Sequence, residues 1–152
     1  MSPPERRTDA TRESSGRPGG ADRPFEFFID RSLGRKHLAQ ALSGLGFKVH
    51  TMASIYGEQV PQELDDERWL TDAGAHNWVV LMKDDAIRRR PAERDALSEA
   101  GVRAFCLTNA QLRAAEQSAR FVDNIERVLR QVQKPGPSIY GVYNGYIKRL
   151  WP

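Results

Sequence analysis

The chain reads as an α/β protein: a small three-layer sandwich with a mainly parallel central sheet and a C-terminal β-hairpin. Three observations predict it. Residues 78–82, Trp-Val-Val-Leu-Met, are an unbroken apolar run of strand length that stops at Lys83-Asp84-Asp85, the pattern of a strand covered on both faces. Residues 25–29 repeat that form and end in Asp30. Segments of helical period alternate with these runs, which is the order that builds parallel βαβ units.

Taken in order, residues 1–23 are rich in Pro, Gly, Ser, Arg and acids and lack aromatics, so they bury too little to offset ordering entropy and read as a disordered tail. A folded domain is expected over residues 24–134. Its first strand is 25–29, after which Ser32 is placed to cap a helix whose apolar positions are Leu33, Leu38, Ala41, Leu42 and Leu45, with Gly46 as its stop. Residues 47–52 form a second strand, which the right-handed crossover rule sets beside the first. Residues 53–62 read as a polar connection. A helix opening at Leu64 or Asp65 runs through Trp69, Leu70 and Ala73 to Gly74.

Beyond the 78–82 strand, Pro91 suits the first turn of a helix that ends at Ala100 before Gly101. Residues 102–107 are the fourth strand. Thr108 to Gln111 match a capping box ahead of one long helix with Leu112, Ala115, Val122, Ile125, Leu129 and Val132 on its apolar face. Residues 135–152 form a hairpin turning at Asn144-Gly145, packed on the same domain, and its aromatics Tyr140, Tyr143, Tyr146 and Trp151 read first as cross-strand packing.

Composition narrows the function. The 39% hydrophobic and 28% charged fractions suit a soluble globular chain, no apolar run reaches the roughly 18 residues of a membrane span, and residues 1–23 lack the apolar centre of a secretory signal. The expectation is a cytoplasmic protein without a membrane partner. The lone Cys106 lies within a strand and reads as packing, and His37, His50 and His76 have no metal-ligand spacing. A net charge of +3 and a pI near 9.2 favour a polyanionic partner. Arg31, Arg35 and Lys36 follow the first strand's acid, while Lys83, Arg88, Arg89 and Arg90 surround the second. Acids with a basic rim are what phosphodiester chemistry asks for, the acids to hold a cation and the bases to hold flanking phosphates.

Acids at the carboxyl ends of neighbouring parallel strands stand side by side and repel, an arrangement that a divalent cation or a shared proton relieves. Asp30 and Asp84 are so placed, and Asp65 or Asp66 at a helix start can join them. The competing role for each acid is to cap the helix that follows it. A phosphoacceptor receiver domain is disfavoured because the first strand ends Asp-Arg and no Lys follows Leu107-Thr108-Asn109. A haloacid-dehalogenase-like phosphatase is disfavoured because Asp30-Arg31-Ser32 lacks the second Asp.

The run Phe27-Phe-Ile-Asp-Arg-Ser-Leu-Gly34, with Gly46-Phe-Lys-Val49, Asp66-Glu-Arg-Trp-Leu70 and Trp78-Val-Val-Leu-Met-Lys-Asp84, resembles the PIN-like domain of VapC-type toxins in its compact variant. The resemblance covers about residues 25–112. It implies a metal-dependent endoribonuclease acting on tRNA or ribosomal RNA, paired with an inhibiting antitoxin protein, with a homodimer left open. Carried onto matching positions, Asp30, Asp66 and Asp84 are the acids that hold Mg²⁺ or Mn²⁺, with Asp65 and Asp85 as adjacent candidates. Arg31, Arg35, Lys36, Lys83 and Arg88 to Arg90 are the phosphate contacts. Two departures stand out. Arg31 follows the first Asp where many relatives carry Glu, and the helical Glu of larger PIN domains has no counterpart read in the sequence. The alternative is therefore a catalytically weak PIN-like module that binds RNA or a protein partner.

Overall fold

The computed structural model describes residues 25–33, 36–57, 65–83, 89–109 and 111–152. Its sheet is built outward from β3 (Trp78–Met82), whose five residues are all buried. One flank of β3 pairs in parallel with β1 (Glu26–Ile29), aligning Ile29 with Leu81; the other pairs with β4 (Arg103–Leu107), aligning Met82 with Cys106. Outside β1 lies β2 (Val49–Thr51), also parallel. Outside β4 comes β5 (Ser138–Tyr143), parallel, and then β6 (Tyr146–Trp151), antiparallel. The six strands run in the order β2-β1-β3-β4-β5-β6.

Side chains alternate across such a sheet, and the core divides accordingly. On one face Phe27, Ile29, Val79, Leu81, Phe105, Leu107 and Val142 meet Leu38 and Leu42 of α1 (His37–Gly44), Phe121 of α5 (Ala114–Asp123) and Val128 of α6 (Ile125–Val132). On the other, Phe28, Val80, Met82, Ala104, Cys106 and Ile139 meet Trp69 and Leu70 of α3 (Asp66–Ala75) and Leu97 of α4 (Pro91–Ala100). Helices on both faces of a mainly parallel sheet make the expected three layers. Among the described residues no helix is long and apolar enough to cross a membrane.

Several boundaries differ from the sequence reading, each for a local reason. Ser32 does not cap α1: that helix begins at His37 behind Lys36, which makes no side-chain cap, and the Ser32 hydroxyl turns to Asp30 instead. Thr51 ends β2 and opens a short helix, α2 (Met52–Tyr56), by exchanging hydrogen bonds with Ser54, so part of the expected connection is helical. Gly74 does not end α3. A Cβ there would come within 2.4 Å of the Ala100 carbonyl oxygen, so the glycine is what lets α3 and α4 close up, and the chain reverses at Asn77 with φ 59°. α5 begins at Ala114 rather than after Thr108, because the Asn109 Oδ1 accepts from the Gln111 amide at 2.9 Å and holds a turn. The long helix is broken at Asn124, whose fully buried amide nitrogen donates to the carbonyls of Arg120 and Tyr143 at 3.0 and 2.8 Å. α4, its Gly101 stop and the hairpin stand as the sequence reads them, and the tail over 1–23 lies outside the described residues.

Candidate active site

Because β1, β3, β4 and β5 run parallel, their carboxyl ends share one edge, where loops and helix starts form a crevice. Asp30 stands one residue beyond β1, and its amide donates to the Leu81 carbonyl at 2.9 Å, which fixes the backbone against β3. The residue is 9% exposed. The Ser32 hydroxyl donates to Asp30 Oδ2 at 2.6 Å and the Ser32 amide to the same oxygen at 3.2 Å. The Lys83 amide in turn donates to Ser32 Oγ at 3.1 Å, so one hydroxyl ties the acid after β1 to the end of β3.

Asp66 is the first residue of α3 and is aimed by a buried tryptophan. The Trp69 indole N–H donates to Asp66 Oδ1 at 2.8 Å, and the same ring stacks on Phe28 of β1 with centroids 5.4 Å apart. Asp65 precedes it, exposed, with no side-chain capping bond. Pro91 starts α4 and puts Glu93 in its first turn. Asp30, Ser32, Asp66, Trp69, Met82, Arg90 and Glu93 then line one cavity of about 100 Å³.

The electrostatics of that cavity are those of crowded acids. Burial pushes the Asp30 carboxyl above the usual range, the hydrogen bonds from Ser32 oppose this, and the charge of Asp66 adds to the rise. Glu93 is raised too, first by burial and then by a hydrogen bond and repulsion from Asp66, against which Arg90 works with Nη1 3.3 Å from Glu93 Oε1. A bond between two carboxyls requires a proton on one of them, and that proton offsets repulsion as a cation would. The donors are hard oxygens, the chemistry that Mg²⁺ and Mn²⁺ prefer. Among the described residues, however, no three Asp, Glu, His or Cys groups are disposed to hold one ion.

Of the residues singled out in the sequence, Asp30 and Asp66 therefore meet, while Asp65 is not part of the cavity wall. Arg90 lines the cavity, Arg31, Lys36 and Arg89 are exposed around this edge, and Lys83 is half-buried. Asp84, Asp85, Arg35 and Arg88 lie outside the described residues. Glu93 was not anticipated. The signal for it is an acid in the first turn of the Pro91 helix, two residues after Pro91, in the segment that follows an acid-terminated strand.

The family model for the PIN-like domain matches residues 25–109, a stretch that takes in both β1 and α4. The chain belongs to the PIN-like family, of the VapC type. Within that family it is similar to "Putative ribonuclease VapC45" of Mycobacterium tuberculosis (strain ATCC 25618 / H37Rv), with 35% identity over 123 residues, which is 81% of this chain and 89% of that protein. No solved structure matches. For this PIN-like chain the matched stretch contains Asp30, Asp66, Asp84 and Glu93, and leaves the β5–β6 hairpin outside.

Proposed function

We propose that the chain is a metal-dependent endoribonuclease, the toxin of a toxin-antitoxin pair, with its centre at the carboxyl edge of the sheet. The observation that carries this is the meeting of Asp30, Asp66 and Glu93, from β1, α3 and α4, around one small cavity where like charges face each other. Membership of the PIN-like family and the ribonuclease name of its relative support it.

Asp30, Asp66 and Asp84 would hold Mg²⁺ or Mn²⁺, with Glu93 as the neighbouring acid and Asp65 and Asp85 as adjacent candidates. When bound, the ion supplies Lewis acidity and an activated water at neutral pH. Everything else falls to the chain. Trp69 and Ser32 aim the two described carboxylates, since a ligand whose own orientation is fixed loses less freedom on binding. Glu93, holding a proton more readily than an ordinary Glu, is placed to pass it to a group in the cavity. Arg31, Arg35, Lys36, Lys83, Arg88, Arg89 and Arg90 form the basic rim for flanking phosphates. The substrate class is structured RNA such as tRNA or ribosomal RNA, and an antitoxin protein holds the activity in check. Residues 1–23 are a tail, residues 24–134 the catalytic domain, and residues 135–152 a hairpin that extends the same sheet.

The test is cleavage of total tRNA by the full chain with Mn²⁺ or Mg²⁺, with chelator, and by Asp84→Asn and Asp30→Asn. Cleavage that requires the ion and is abolished by either substitution is the expected result; unchanged metal-dependent cleavage by Asp84→Asn overturns the assignment. The second reading, a PIN-like RNA- or partner-binding module, draws on Arg31 standing directly after Asp30 and on Arg90 being turned to Glu93. Such a module binds RNA equally with chelator present and never cuts it.

A further inference from the structure

The hairpin lies outside the family match and carries an aromatic pair with no task in the acidic centre. Tyr143 and Tyr146 are cross-strand partners whose rings stack with centroids 4.7 Å apart and planes at 9°. One face of the Tyr146 ring therefore rests on Tyr143, and with 52% of the residue exposed the other face is open to solvent. Beneath the pair the packing is close: a Cβ on Gly141 would come within 2.9 Å of the Tyr143 ring and 3.0 Å of its hydroxyl. The floor ring is thus seated on a glycine chosen by fit, and a partner stacking on Tyr146 meets a surface already ordered.

Charge and position say what that partner is. Lys148 is opposite Gly141 in the ladder, so strand alternation puts it on the same face as the tyrosines, whereas Arg149 covers Tyr140 on the other face at 5.9 Å. Residues 133–152 hold Lys134, Lys148 and Arg149 and no acid. Toward α5 the hollow beside the turn is walled by Glu116, Arg120 and Asp123, so its acids outnumber its cation and the Lys148 side is the more favourable one for a phosphate. Pairing of Met82 with Cys106 and of Cys106 with Gly141 sets Gly141 level with the end of β3, so Tyr143 stands two residues further out on the same edge as Asp30. Four strand spacings separate β1 from β6, roughly 20 Å, a span that a few nucleotides of extended strand cover. A protein interface centres on uncharged surface, whereas an open aromatic face beside a lysine is the arrangement that holds single-stranded nucleic acid.

We propose that the β5–β6 hairpin is a stacking platform for single-stranded RNA, with Tyr146 receiving a nucleobase and Lys148 a phosphate, so that the strand entering the acidic centre is held a few nucleotides from it. The identity of the strand as substrate rests on the ribonuclease reading; the platform itself is tested apart from it. The measurement is fluorescence anisotropy of a labelled 12-nucleotide single-stranded RNA of mixed sequence, and of an abasic strand of equal length, titrated with the full chain in chelator. Tyr146→Ala is expected to weaken binding of the RNA about tenfold and leave the abasic strand unchanged, while Tyr146→Phe stays within about twofold of the parent. Lys148→Gln is expected to lower the salt slope of binding by about one. Equal loss on the abasic strand, no loss at all, or lost self-association in sedimentation with RNA binding intact would each overturn the platform. Chelator stops metal-dependent cleavage, so the two readings fail separately. Unchanged cleavage by Asp30→Asn removes the nuclease centre and leaves the platform standing, and an unaffected Tyr146→Ala removes only the platform.

Discussion

At the amino edge of the sheet Arg103 is 8% exposed, and its guanidinium donates to the Val132 carbonyl, to Asn77 Oδ1 at 2.7 Å and to the Asn77 carbonyl at 3.5 Å. At the carboxyl edge Asp30 is as deeply buried, yet the neighbouring charge that shifts its carboxyl is that of another acid, Asp66. The amino edge encloses its charge with neutral dipoles and closes the end of α6 with it: a Cβ on Gly136 would lie 2.4 Å from the Gly101 carbonyl oxygen and 3.1 Å from Arg103 Cγ, and the hollow of about 340 Å³ beside Arg103 has no acid in its wall. The carboxyl edge instead sets three acids, Asp30, Asp66 and Glu93, around a smaller cavity of about 100 Å³, with Arg90 beside Glu93. A buried ion surrounded by partners holds a fold together, whereas one surrounded by its own sign costs stability and is retained for what it can bind.

Exchanging the charged group at each edge separates the two roles. Asp30→Asn is expected to lower metal-dependent RNA cleavage by about 10²–10³ with the fold intact by circular dichroism, as removal of one group that meets the reacting charge does elsewhere. Arg103→Ala is expected to act the other way round. It leaves the Val132 and Asn77 oxygens without their donor and costs about 3 kcal/mol, read as a lower urea midpoint, while cleavage per folded molecule is kept. If Arg103→Ala abolishes cleavage at full stability, or Asp30→Asn unfolds the chain, the contrast between the edges is wrong.

The sheet and one edge of it were open to reading in the sequence because their determinants are local. β3 is a bare apolar run, the hairpin is set by Asn144-Gly145, and α4 is bracketed by Pro91 and Gly101, so each stands where the residues put it. Asp30 was legible as the residue that ends a strand, and Asp66 as one that opens a helix. Glu93 was not, because its place depends on two helices lying side by side. Gly74 and Ala100 bring the ends of α3 and α4 together, and the same alignment brings their first turns, with Asp66 and Glu93, to one cavity. The break at Asn124 was hidden for the same reason, since one of its partners is the Tyr143 carbonyl, distant in sequence. α2 escaped because five residues held by mutual bonds of Thr51 and Ser54 leave almost no period to detect.

A smaller effect sharpens the comparison through pH. Burial and the charge of Asp66 raise the Asp30 carboxyl in the folded state above its ordinary value of 3.8. Below that value both folded and unfolded chains carry the proton and nothing is lost. As pH climbs through the raised folded value, the unfolded chain ionises freely and the native state loses stability relative to it. Asn at position 30 does not ionise, so Asp30→Asn is expected to melt about 3 °C above the parent at pH 7 and level with it near pH 3. Mn²⁺ is expected to raise the parent's melting temperature and to leave Asp30→Asn unmoved. Equal melting at pH 7 would mean that Asp30 carries no repulsive burden.

The smallest expected effect tests the hydroxyl that joins the two strand ends. Ser32 Oγ donates to Asp30 and accepts from the Lys83 amide, so Ser32→Ala removes one bond from each, in an exposed position where the stability cost is about 1 kcal/mol. Loss of stability alone would leave the catalytic pH profile where it was. A positioning residue does more: without the donated proton the Asp30 carboxyl rises further, because the Ser32 bonds are what oppose its burial. The acid limb of the cleavage profile is therefore expected to move to higher pH, kcat to fall several-fold, and Ser32→Thr, which keeps the hydroxyl, to restore both. A profile that stays in place while only the melting temperature drops would make Ser32 a part of the loop rather than of the centre, and Asp30 would owe its aim to burial between β1 and β3 alone.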